Sequence, residues 1–211
     1  MSKQAIIGII AIIILVAGIS VYALRETLFQ SYAPDTASQA DTASTTYKEY
    51  AALKGEAYDQ SFLANMIAHH QGAVDMAKLA QENAGRAELK SMADDIVNTQ
   101  EKEIANMKAW QSAWGYPSTS ADNMMDHSAM GMMDDMAGMT AELEGKTGDE
   151  FDKAFIEQMI MHHQSAIDMA APAEKNASRQ EVKDLARGII SAQTAEIKQM
   201  KQWQKEWGYE S

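Results

Sequence analysis

Apolar residues recur at spacings of three and four along two long stretches of the chain. In the first, Phe62, Met66, His69, Ala73 and Met76 share one side of a helix, and Leu63, Ile67, His70, Val74 and Ala77 form the adjacent stripe. The resulting face is wide. After a turn marked by residues 83–85, a second stripe follows: Ile96, Gln100, Glu103, Met107, Trp110 and Trp114. It ends in "WGY", where Gly115 suits a helix C-cap. The pattern predicts a helical hairpin.

The hairpin is written twice. Residues 58–116 align without a gap on residues 151–209, at a constant offset of 93, with 29 identities in 59 positions. That level of matching marks a tandem duplication. In the second copy the turn falls at residues 176–178, and Ser178 with Glu181 fits a capping box. Pro172 stands where the first copy has Leu79, which predicts a kinked or shortened first helix. Two helices cannot bury so wide a face, but two hairpins can. The expected fold is all-α, a four-helix bundle of two tandem hairpins, closed within one chain or by pairing with a second.

Residues 5–24, "AIIGIIAIIILVAGISVYAL", carry no charge, with Lys3 before them and Arg25 and Glu26 after. As a helix they span roughly 30 Å, the thickness of a bilayer's hydrocarbon core. Residues 1–30 therefore read as a single-pass membrane anchor. The alternative is a cleaved signal peptide, with Val21 and Ala23 at the cleavage site. Either reading puts the rest of the chain in the periplasm or extracellular space. Residues 31–49, rich in Ser, Thr, Ala and Asp, read as a flexible tether. The expected order is then a first hairpin over 50–116, a linker over 117–147 and a second hairpin over 148–211.

Composition narrows the chemistry. Apolar residues make up 46% of the chain and charged ones 23%, an ordinary globular balance. The net charge is -12, with Lys and Arg scattered among acids, so no surface is expected to neutralise nucleic acid. Cysteine is absent, which excludes disulfides, thiolate metal sites and a cysteine nucleophile. Any soft metal ligand must be Met or His.

Four of the five histidines form two adjacent pairs at matching positions, His69–His70 and His162–His163. Adjacent residues on a helix diverge by about 100°, so one pair is a poor chelate, yet both rings can border a wide buried face. A buried imidazole must be hydrogen-bonded or ligating. The first alternative pairs these rings with Glu103 or Gln100, and with Glu196 or Gln193, on the facing helices. The second makes them metal ligands. Met66, Met76, Met159 and Met169 are likewise either core filler or thioether ligands. The four tryptophans read as packing. No Glu-x-x-His occurs, so a di-iron carboxylate site is not expected.

The linker contains "MMDHSAMGMMDDMAGM", residues 124–139. It gathers Met124, Met125, Met130, Met132, Met133, Met136 and Met139, seven of the chain's sixteen methionines, around His127. Aspartates and glycines interrupt the run, which argues against a membrane or core segment. Met133, Met136 and Met139 have helical spacing. Thioethers are soft, select Cu(I) and have no proton to lose, while His127 also suits Cu(II). Silver fits the same ligands and zinc fits them poorly. The run reads as a copper-binding segment, with promiscuous protein contact as its alternative.

"MIAHHQGAVDMA" and "MIMHHQSAIDMA" are each followed by Gln-x-x-Glu-Ile-x-x-Met-x-x-Trp, at Gln100–Trp110 and Gln193–Trp203. In these motifs the chain resembles the bacterial family catalogued as domain of unknown function 305, over roughly 50–116 and 145–211. The resemblance implies a ferritin-like helical bundle. Some members resemble exported copper-binding proteins, which implicates His69, His70, His162 and His163, with Met66, Met76, Met159 and Met169 as thioether partners. The expected function is extracytoplasmic copper binding for sequestration, buffering or handover, without turnover. Its partners would be the metal ion, the membrane through the N-terminal helix, and a delivery protein or a second copy. The rivals are an adaptor bundle that binds a protein through its methionines, and a redox enzyme oxidising Cu(I). No general base or nucleophile supports the last.

Overall fold

The computed structural model describes residues 40–117 and 135–209 of a compact unit, Thr36–Ser211. The anchor expected over residues 5–24 lies outside the described residues. Among those described, no helix is long and apolar enough to cross a membrane.

The described chain is all-helical: α1 (Thr45–Ala52), α2 (Glu56–Asn83), α3 (Ala87–Trp114), α4 (Gly148–Ala170), α5 (Ala173–Asn176) and α6 (Gln180–Trp207). Residues 135–141 are also helical. Helices α2 and α3 form one hairpin, and α4 and α6 the other. The hairpins meet through α2 and α4. The sequence pattern explains this division of labour. On α3 the buried residues Leu89, Ala93, Ile96, Gln100, Ile104, Met107 and Gln111 make a single narrow stripe, enough for one neighbour. On α2, Phe62, Leu63, Met66, Ile67, His69, His70, Ala73 and Val74 are all buried, so this helix must be covered from several sides.

Helices α2 and α4 run antiparallel, since the hydroxyl of Tyr58 near the start of α2 donates to the Met169 carbonyl near the end of α4, at 2.7 Å. Pro172 has the expected effect. Helix α4 stops at Ala170, and the four-residue α5 resumes after the break. Both "WGY" ends close as Schellman caps. Gly115 and Gly208 sit at φ 68° and 72°, and the following Tyr116 and Tyr209 N–H groups reach back to Gln111 and Gln204 at 2.9 and 2.8 Å. A Cβ is disfavoured at such a φ, so Gly208→Ala should cost about 1 kcal/mol in a thermal melt. A change of a few tenths would mean that the cap does little.

Two expectations need correction. Ser178 does not open α6 with a capping box, for the cap position is Arg179 and no side chain on the local chain caps it. Instead the Ser178 hydroxyl donates to Asp59, from the other repeat. Nor is the stretch up to Glu49 tether throughout. Ser44 caps α1 through its hydroxyl, the Asp41 N–H donates to Asp168 at 2.8 Å, and Asn176 donates to the carbonyls of Tyr50 and Ala51, each at 3.2 Å. Buried Tyr50 accounts for it: one aromatic ring in a polar stretch is enough to hold the segment down, and Asn65 also donates to its hydroxyl at 2.8 Å.

The two repeats are thus crossed. The segment preceding the first hairpin lies on the second, through Asp168 and Asn176. Residues 135–141, which precede the second hairpin, lie on α2. Helix ends follow the same rule. Arg86 at the start of α3 stacks its guanidinium over Trp207 at 4.6 Å, and Arg179 before α6 stacks over Trp114 at 4.8 Å. Stacked pairs Trp110–Trp114 and Trp203–Trp207, with centroids 5.7 and 5.0 Å apart, agree with a packing role.

Candidate metal centre

The α2–α4 contact brings all four paired histidines into the interior, where each is fully buried. The inner pair, His69 and His162, comes face to face across the two repeats, with ring centroids 3.7 Å apart and planes tilted by 42°. The outer pair turns toward the second helix of its own hairpin. His70 Nε2 lies 2.7 Å from Glu103 Oε2 in a hydrogen bond. His163 Nε2 comes within 2.6 Å of Glu196 Oε2, without the alignment of a hydrogen bond. The roughly 100° divergence of neighbouring helical residues sorts the rings this way.

Tautomers follow from the partners. A carbonyl can only accept, and His162 Nε2 sits 2.9 Å from the His69 main-chain carbonyl. The His162 proton is therefore on Nε2, and Nδ1 keeps its lone pair. A carboxylate likewise accepts, so the His70 proton facing Glu103 is on Nε2. Among the described residues, both ring nitrogens of His69, and Nδ1 of His70, His162 and His163, have no hydrogen-bond partner. Burial holds His69 and His162 well below the ordinary imidazole pKa of 6.5, and the neighbouring histidines push the same way, so both rings are neutral.

Four buried imidazoles with free nitrogen atoms are a costly arrangement for a core that only packs. Where imidazole binds a metal, its other nitrogen commonly donates to a carboxylate, as His70 does to Glu103. The inner ring centroids are too close to admit an ion between the two rings, so ligation would use the in-plane lone pairs at the ring edges. Among the described residues, no group of three or more His, Asp or Glu side chains stands close enough to hold a metal ion. A site here therefore needs thioethers or a shift of the rings.

The same two helices carry buried thioethers. Met66, Met76, Met159 and Met169 are all fully buried. Met66 and Met159 precede the inner histidines by three residues, one helical turn, while Met76 and Met169 follow by seven, two turns. Of the linker residues, Met124, Met125, His127, Met130, Met132 and Met133 lie outside the described residues. Met136 is buried and Met139 is partly buried against the core, so neither is an exposed thioether. The helical spacing of Met136 and Met139 is realised in residues 135–141.

Sequence reasoning missed Asp59 and Asp152. Each is fully buried at the start of a hairpin's first helix and accepts main-chain N–H groups at the start of the other hairpin's second helix. Asp59 takes Ser178 and Arg179, both at 3.1 Å, and Asp152 takes Gly85 at 2.9 Å and Arg86 at 3.1 Å. Burial pushes the Asp152 carboxyl up, and the two N–H groups pull it back. The signal was present, since Asp59 and Asp152 are identical in the alignment of the two copies.

The chain as a whole is similar to several solved structures. CopM in its Cu(I)-bound form is 40% identical, with a TM-score of 0.58, over 71% of this chain and 96% of that one. CopM in its Cu(II)-bound form is 39% identical, with a TM-score of 0.60, over 74% and 99%. A DUF305 protein from Streptomyces coelicolor, described as secreted, is 27% identical, with a TM-score of 0.61, over 72% and 94%. A search of curated proteins found no match. The profile of the family described as "Domain of unknown function (DUF305)" matches residues 59–204. This chain belongs to that family.

Proposed function

We propose that this protein is an extracytoplasmic copper-binding protein that sequesters, buffers or hands over copper, with Cu(I) preferred and Cu(II) accepted, and that it is not an enzyme. The observation that carries the reading is the buried histidine quartet with its unpaired ring nitrogens. Similarity to CopM, solved with Cu(I), Cu(II) and silver bound, supports it, and silver should act as a mimic. The ligand set is His69, His70, His162 and His163 with the thioethers of Met66, Met76, Met159 and Met169. The linker run adds soft ligands, Met124, Met125, His127, Met130, Met132, Met133 and Met139, while Met136 is buried against α2 and stands apart from them. Similarity to a protein described as secreted supports the location, and residues 5–24 would tether it to the membrane as a single-pass anchor. A ferritin-like bundle is the architecture this reading assumes, and a copper-delivery protein or a second copy is the partner.

One observation favours the rival adaptor. The hydrogen bond between His70 and Glu103 is what a satisfied core histidine makes. A titration decides. The full chain in detergent is competed for Cu(I) against a chromophoric chelator, beside a variant with His127 and the linker methionines other than Met136 changed to Ser, and beside a His69→Leu/His162→Leu variant. Removal of the inner histidines should weaken binding at least about tenfold. Loss confined to the linker variant would leave the histidines structural. No competition by the unaltered protein would sink the copper reading in favour of the adaptor.

A further inference from the structure

Gly72 lies in the middle of α2, where glycine costs a helix about 1 kcal/mol relative to alanine. Its surroundings supply a reason. A Cβ there would stand 3.1 Å from Met136 Sδ and 3.2 Å from the Cβ and Cγ of the same side chain. Met136 is therefore seated directly on the α2 backbone, and the missing side chain is the notch that receives it. Met136 is only 9% exposed, Leu143 beyond it is 1% exposed, and the Thr140 hydroxyl closes the turn by donating to the Met136 carbonyl at 3.1 Å. Gly72 follows His69 by three residues on the same side of α2, about 4.5 Å along the axis. The contact belongs to one repeat alone. The offset of 93 places Ser165 opposite Gly72, and α4 is crossed by α1 and Asp41 instead.

We infer that Gly72 and Met136 are positioning residues for metal binding: they clamp residues 135–143 onto the histidine-bearing helix, so that docking of this segment and copper uptake by the bundle are coupled. The docking stands on geometry alone, while the coupling rests on the copper reading above. Met136 acts as an anchor, its sulfur filling the notch, so leucine serves in its place.

The test uses the full chain in detergent and two readouts. Hydrogen exchange of the amides of residues 139–143, in metal-free protein, reports docking. Cu(I) competition reports affinity. Gly72→Val should speed exchange about tenfold or more and raise the Cu(I) Kd about tenfold. Met136→Ala, which leaves α2 untouched, should do the same, whereas Met136→Leu and Ser165→Val should change neither. Exchange unaffected by Gly72→Val and Met136→Ala would overturn the clamp. Faster exchange with unchanged Cu(I) affinity would overturn the coupling. Loss of affinity in Met136→Leu with protection intact would overturn the anchor role in favour of direct ligation. Absence of Cu(I) binding in the unaltered protein would instead defeat the copper reading and the coupling with it, and the exchange data would still score the clamp.

Discussion

Below pH 6.5 the metal-free bundle should lose stability at up to about 2.7 kcal/mol per pH unit, from two imidazoles. His69 and His162 are buried and neutral, held well below 6.5 first by desolvation and then by neighbouring histidines. The unfolded chain takes up protons on both residues as the pH falls through 6.5, and the folded chain does not. The unfolded state then binds more protons, so acid favours it. Above pH 6.5 neither state is protonated at these rings, and their contribution is flat. The loss ends where the folded-state rings finally protonate. The clean window is about pH 6.5 to 5, because paired carboxylates begin to titrate below it. Urea unfolding at pH 7.5, 6.5 and 5.5 measures the slope. A His69→Leu/His162→Leu variant should flatten it, and Glu103 and Glu196, which face the outer histidines, stay unchanged as a control. Equal stability from pH 7.5 to 5.5 would mean that the inner rings are reached by water.

Breaking the crossed caps should have an effect at least as large. Asp59→Ala leaves the Ser178 and Arg179 N–H groups without their acceptor, and Asp152→Ala does the same to Gly85 and Arg86. These bonds are to a charged acceptor and are buried on its side, so each change should cost about 3 kcal/mol. The two sites sit at opposite ends of α3 and α6, and their effects should add. A double variant would then lose about 6 kcal/mol, comparable with the whole stability of many domains. The Asn variants keep one acceptor oxygen and should lose about half as much. Guanidinium unfolding, with exposed Asp95→Ala for comparison, reads the difference. If Asp59→Ala costs no more than Asp95→Ala, the caps are dispensable.

These caps also show where sequence reasoning reached its limit. The hairpins, their turns, the glycine C-caps and the break at Pro172 are local events, governed by helical period and backbone conformation within a few residues. They were legible for that reason. Ser178 was misread because it has the right spacing for a local cap, whereas its partner is Asp59, 119 residues away. Residues 41–49 read as tether and Met136 as linker for the same reason, since nothing near them in the chain reveals the surface on which each is held.

For the candidate site, the sequence by itself determined the donor inventory: two matched histidine pairs, thioethers at helical spacing, no cysteine and no Glu-x-x-His. It also determined that the pair could not chelate alone, because adjacent residues diverge around a helix. Only the tertiary structure decided which ring faces which partner. The antiparallel crossing of α2 and α4 brings His69 against His162 and turns His70 and His163 toward Glu103 and Glu196. Helical periodicity fixes the angle of a side chain about its own axis, but the neighbour at that angle is set by how two separately written helices cross, which is a property of the packed core.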